Sequence, residues 1–202
     1  MKQMIRCLLV LSMAGSASAR EEQTLLSGPV TSGGFGGPVF KMTRMHDSFG
    51  VLIGGRGGWI INHTLSLGGG GYGLVSRIRV PEGVPGMQDP VLQAGYGGFE
   101  IGYTPRSHRL VHPDVSLLIG GGSAGARESW EEDLGDDWSD DPALDSFFIL
   151  EPCIAVELNV TRFMRVTAGA SYRFVSGLEQ EGLTESAIGG PSAVLTFKFG
   201  RF

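Results

Sequence analysis

The sequence predicts an all-β fold, an eight-stranded antiparallel up-and-down transmembrane β-barrel, and three observations carry the prediction. The last third of the chain alternates apolar and polar residues with a period of two, the mark of two-faced strands. Eight such segments can be marked off by turn-forming stretches. Apart from a short first connection, the joins sort by parity, tight or moderate after even-numbered segments and longer after odd-numbered ones. A barrel that keeps both chain ends on one side of a membrane requires that order. A soluble sandwich has no reason to sort its loops in this way.

The chain opens with Lys2 and Arg6, then a short apolar stretch, Cys7 to Ala14, and the small residues Gly15 to Ala19. These are the three parts of a secretory signal peptide, and the apolar stretch is too short to span a bilayer. Residues 1–19 are expected to be removed, residues 20–36 to form a periplasmic tail, and residues 37–202 to form the barrel. Removing Lys2 and Arg6 leaves 14 basic residues against 21 acidic ones, a net charge of −7. An acidic chain without a basic stripe argues against nucleic acid as a partner. Cys153 is then left without a second cysteine, so no internal disulfide staples the fold.

The expected strands run 37–45, 49–61, 64–80, 91–104, 114–125, 147–160, 163–175 and 189–201. On the second, Val51, Ile53, Trp59 and Ile61 fall on the apolar face, with Arg56, Gly50, Gly54 and Gly58 opposite. The third is obscured by Gly68 to Gly71 and its faces are left open. On the fourth, Phe99, Ile101 and Tyr103 point out while Tyr96 and Glu100 point in. On the fifth, Val115, Leu117 and Ile119 point out. The sixth alternates from Phe148 through Leu150, Pro152, Ile154, Val156 and Leu158 to Val160. The seventh does so from Met164 to Phe174, and the eighth sets Leu195, Phe197 and Phe199 against Thr196 and Lys198. In a small barrel the apolar face meets lipid and the interior holds the polar groups. Trp59, Tyr103 and Phe163 lie near strand ends by the short turns, where an aromatic girdle belongs.

The inward face collects Lys41, Arg56, Glu100, Glu151, Glu157, Arg165 and Arg173. A short hairpin between the sixth and seventh strands puts Glu151 opposite Arg173 and Asn159 opposite Arg165. Charges in a narrow lumen must be paired or hydrated. They form either an ion path with a gate or a salt-bridged plug. Eight strands leave room only for side chains, which favours the plug.

A second constellation is the acidic loop between the fifth and sixth strands. It carries Glu128, Glu131, Glu132, Asp133, Asp136, Asp137, Asp140, Asp141 and Asp145 around Trp130 and Trp138. Its spacing does not match a calcium loop, so a solvated segment is expected rather than a metal site. The two tryptophans point to a contact surface. His46-Asp47-Ser48 falls in the first outer turn, but neighbours in sequence cannot all converge as a catalytic triad. His63, His108 and His112 are too scattered for a metal centre. The glycine clusters lack the ending and the following helix of a phosphate loop. No cofactor is expected, and Cys153 reads as an inert, lumen-facing residue.

With its signal peptide, strand number, loop parity and terminal Phe202, the chain resembles the small eight-stranded outer-membrane β-barrels typified by outer-membrane proteins A and X. The resemblance implies a monomer in the outer membrane of a Gram-negative-type bacterium, in contact with outer-membrane lipids and lipopolysaccharide. It also implies delivery by the barrel-assembly machinery, for which Phe202 serves as the signal. In the usual pattern the apolar residues fall at even offsets from that Phe, whereas Phe199, Phe197 and Leu195 fall at odd ones. Either a bulge at Gly200-Arg201 restores the phase or Phe202 lies beyond the strand. The expected role is structural or surface-interacting, with an extracellular protein partner meeting the acidic loop. The alternatives are a lipid A-modifying enzyme and a narrow pore.

Overall fold

A computed structural model describes residues 30–80, 90–127, 144–178 and 184–202. The expected signal peptide and the acidic-loop residues from Glu128 to Asp141 lie outside the described residues. Eight strands, β1 (Ser32–Met45), β2 (Ser48–Ile61), β3 (Leu65–Leu74), β4 (Val91–Tyr103), β5 (Val111–Arg127), β6 (Asp145–Asn159), β7 (Met164–Ser176) and β8 (Gly190–Arg201), follow in order around a ring. Every neighbouring pair is antiparallel, and β1 closes onto β8 through Gly34↔Arg201 to Thr43↔Ser192. A single helical turn, α1 (Glu185–Ile188), precedes β8.

The exterior and interior follow the alternation. Ile154 on β6 is 70% exposed, and Phe148, Val156, Phe99, Tyr172 and Phe174 stand out beside it around the ring. Aromatic and β-branched residues dominate this band, as a lipid face requires. Trp59, Tyr103 and Phe163 are all exposed near the end that carries the tight turns. That end, the turn end, holds the Asn62-His63 and Thr161–Phe163 connections. The opposite loop end holds the connections 75–90, 128–144 and 177–189, together with the two-residue His46-Asp47 turn. His46 and Asp47 both have positive φ, as do Asn62 and His63. Such turns carry the right-handed twist of a hairpin.

Several boundaries differ from expectation. β1 opens at Ser32 rather than Gly37, so residues 32–36 are strand and not tail. Ser32 and Gly33 pair with β2, and Gly34 to Gly36 pair with both β2 and β8. This glycine-rich stretch has too few large side chains to show a period. β3 ends at Leu74 instead of Val80, although its alternation continues beyond, with Ile78 and Val80 buried and Arg77 and Arg79 exposed. β5 is longer than expected at its Val111 end. Ile61, placed on the lipid face by its parity, is 5% exposed, flanked by Ser32 and Leu65 at the turn.

The glycine run that hid β3 has a steric cause. A Cβ on Gly68 would collide with the backbone of Gly57 and Gly58, and one on Gly98 with that of Ile119 and Gly120. β2, β3, β4 and β5 therefore curve tightly at a level where side chains have no room, which glycine permits. With the faces of β3 settled, Tyr72 points into the lumen.

Candidate functional site

The lumen is the site where the charged side chains converge, and it divides into three levels. At the turn end, Glu157 of β6 accepts hydrogen bonds from Lys198 Nζ at 2.5 Å, Arg165 Nη1 at 2.8 Å and Thr167 Oγ1 at 3.0 Å. His112 Nε2 lies 3.1 Å from the same carboxylate, and its Nδ1 lies 3.0 Å from the Arg109 carbonyl. Lys198 also donates to Asp114 at 3.1 Å, and Thr104 Oγ1 donates to that same oxygen. Period-two geometry on β5, β6, β7 and β8 places these groups on one inward layer.

At the middle level Arg56 of β2 pairs with Glu100 of β4, both almost wholly buried. Nearer the loop end, Lys41 Nζ donates to Glu151 at 2.9 Å and to the Tyr96 hydroxyl at 3.1 Å. Tyr96 donates to Glu151 at 2.8 Å, and Ser171 Oγ donates to the other carboxylate oxygen at 2.6 Å. The Lys41 ammonium sits 3.5 Å from the centre of the Tyr72 ring, a cation–π contact. Buried charges of this kind persist when each is paired and hydrogen-bonded.

Lys41, Arg56, Glu100, Glu151, Glu157 and Arg173 are buried in the barrel and Arg165 is half-buried, and their partners depart from the strand register in one place. β6 and β7 keep the register that sets Glu151 level with Arg173, and Asn159 faces Arg165. Glu151 nevertheless bonds Lys41, while Arg173 donates to the Ile188 carbonyl at 2.8 Å, Tyr96 Oη at 3.2 Å and Thr43 Oγ1 at 3.2 Å. Tyr96 thus mediates between the two. Asp114, Lys198 and His112 belong to the network and were missed as members. In the sequence Lys198 shows only as a polar residue of the β8 alternation, and His112 only as a neighbour of a turn.

Sequence reasoning also missed that the loop end of the lumen is apolar. Met45, Leu52, Ile78, Phe147, Ile149 and Ile188 belong to one buried cluster there, which reaches down to Val39 and Leu118 at the level of Arg56 and Glu100. Ile188 comes from α1, which folds inward and is tied down by the Arg173 bond to its carbonyl and by His46 N–H donating to Ala187 O at 2.9 Å. What space is left is small. A cavity of about 10 Å³ lies among Lys41, Arg56, Tyr72, Glu100 and Glu151, the room of a single water molecule. Another of about 20 Å³ lies at the turn end, between Phe35, Glu157, Arg165, Lys198 and Phe202.

Phe202 follows the second of the two alternatives. β8 runs without a bulge to Arg201, whose partner is Gly34, and Phe202 lies beyond it. Its ring lies under the Arg165 guanidinium, 4.0 Å from the carbon to the ring centre, over the mouth of the lumen. At the loop end, His46 sits beside α1 with Glu185 and Ser186. However, Glu185 accepts from Gly177 N–H at 2.9 Å and Ser186 bonds Thr184 at 3.0 Å. Among the described residues, no hydrogen bond joins the His46 ring to a serine or an acid, and no cluster of His, Cys, Asp and Glu could hold a metal ion. Asp145 opens β6; the other acidic-loop residues of interest lie outside the described residues.

No family model and no curated protein matches the chain. Solved structures do. Neisserial surface protein A superposes with a TM-score of 0.55 at 11% identity, covering 86% of this chain and 99% of that one. The N-terminal β-barrel domain of Pseudomonas aeruginosa OprF gives 0.56 at 13% identity, covering 84% and 96%. The fold is that of the small outer-membrane β-barrels. At such identity the likeness extends to architecture, and the lumen network described above is read from this chain's own residues.

Proposed function

We propose that this protein is a non-enzymatic β-barrel of the bacterial outer membrane with a structural or surface-interaction role. The observation that supports the reading most is the conjunction of an apolar exterior with an interior filled from end to end. Among the described residues the charged levels and the apolar cluster fill the interior beside cavities of about 10 and 20 Å³, which supports a plug rather than a pore. The loop end faces outward in this reading. The segment 128–145, with Trp130 and Trp138 among its acids, meets lipopolysaccharide or an extracellular protein. The protein acts as a monomer, and Phe202 is read by the barrel-assembly machinery during biogenesis.

Four measurements test this reading. Folded protein in detergent should migrate differently on gels before and after boiling; insensitivity to heating, with solubility in plain buffer, would remove the membrane barrel. Single-channel recordings should stay flat. Deletion of residues 128–143 should leave the barrel folded and abolish its binding to purified surface ligands. A lipid A-modifying enzyme would need His46 to meet a serine and an acid, so His46→Ala should leave lipid A unchanged.

A further inference from the structure

The outer surface at the loop end carries basic side chains that the lumen network does not use. Arg44 lies on the outward face near the end of β1, level with Phe49 of β2, and both are exposed. The segment after β3 runs on beside β2. Val75 N–H donates to Val51 O at 2.9 Å, and Val51 N–H donates to Ser76 Oγ at 2.7 Å. Along this segment the alternation persists, with Ile78 and Val80 turned inward and Val75, Arg77 and Arg79 exposed. Arg44, Arg77 and Arg79 therefore line one arc of the rim beside the exposed Phe49, with the exposed apolar residues Met42, Ile53 and Val75 below Arg44.

None of the three arginines has an acidic partner among the described residues. This contrasts with the lumen, where Lys41, Arg56, Arg165 and Lys198 each contact a carboxylate. The chain as a whole is acidic, so an arc of guanidiniums without acidic partners among the described residues runs against its overall charge. Guanidiniums level with a rim aromatic, at the upper edge of a lipid-facing apolar band, lie at the depth of headgroup phosphates, which they bind in bidentate fashion.

We propose that Arg44, Arg77 and Arg79 form a docking arc for the phosphate groups of an outer-leaflet phosphorylated glycolipid, with Phe49 and Val75 packing on its acyl chains. The inference rests on the outer-membrane reading and names the lipid partner of its rim. In an eight-stranded ring β2 and β6 lie opposite one another. The arc is thus centred across the barrel from β6.

The test is an equilibrium titration of the folded barrel in neutral detergent with lipopolysaccharide and with its dephosphorylated form. The triple variant Arg44→Gln, Arg77→Gln, Arg79→Gln should bind lipopolysaccharide about a hundredfold more weakly, at about fivefold for each guanidinium near a phosphate surface. Dephosphorylated lipid should bind parent and variant equally weakly. The control variant Arg162→Gln, Arg201→Gln, at the turn end, should match the parent. Parent-like affinity in the triple variant, or tight binding of the dephosphorylated lipid, would overturn the arc while leaving the membrane reading intact. A parent that fails to enter bilayers or to shift on heating would remove both. Self-association of the parent, lost in the triple variant and insensitive to lipid, would assign the arc to a second copy and reject the glycolipid.

Discussion

The Tyr96 hydroxyl donates a 2.8 Å hydrogen bond to Glu151 across the lumen while Lys41 and Arg173 both donate to the same hydroxyl oxygen. One neutral group thus lies between two cations and a carboxylate drawn from separate strands. Tyr96→Phe keeps the ring and removes that mediator, leaving its partners buried with fewer bonds. The expected loss is about 1–3 kcal/mol. It is measured by denaturant unfolding of the barrel in lipid vesicles, followed by tryptophan fluorescence; an unchanged midpoint would refute the arrangement.

Glu157 carries more. Two cations, a hydroxyl and the His112 ring converge on its carboxylate. Glu157→Gln preserves its volume but leaves Lys198 and Arg165 without their shared counter-charge, at a cost of about 3–5 kcal/mol. Thr167→Val removes one neutral donor to the same carboxylate and should cost about 1 kcal/mol. The ordering of the two variants in the same unfolding assay separates charge from hydrogen bonding.

Two glycines on β3 should behave in opposite ways. A methyl group on Gly68 meets the backbone of β2, whereas one on Gly73 meets nothing within 4 Å. Gly68→Ala should sharply reduce the fraction of chains that reach the heat-modifiable folded form. Gly73→Ala should leave that fraction at the parent level. Equal behaviour would contradict the close approach of β2 and β3.

Phe202 offers a way to separate folding from recognition. Its contact with Arg165 is a single cation–π pair at the edge of the lumen, so Phe202→Ala should lower stability in vitro by only about 0.5–1 kcal/mol. If the assembly machinery reads this residue, the amount of barrel reaching the membrane in cells should fall by far more than that small loss explains. Normal levels in cells would discard Phe202 as a signal.

How far the sequence alone reaches depends on the segment. β6 beyond Leu150 and β7 are legible because apolar residues recur at every second position, and even their mutual register follows from the short turn between them. β3 was opaque because glycines give no face to read, and its inward Tyr72 emerged only from the pairing with β4. The apolar cluster at the loop end was hidden for a different reason. Ile149 sits between the outward Phe148 and Leu150, so three apolar residues in a row blur a period-two signal. Ile78 and Ile188 come from connections, where no strand pattern announces an inward side chain. The charged residues were recognisable singly, but which cation meets which carboxylate depends on pairings across the lumen. Register between sequence neighbours does not supply those.

Lys41 belongs to β1, Tyr96 to β4, Glu151 to β6 and Arg173 to β7, so the loop-side cluster draws on strands spread around the whole circumference. Before β1 meets β8, an open sheet holds Lys41 far from Glu151, and each ion keeps its own water shell. Sealing the seam turns four separately hydrated groups into one hydrogen-bonded knot. A ring joined in the wrong register would trap a cation against the wrong neighbour, so the interior proofreads its own closure.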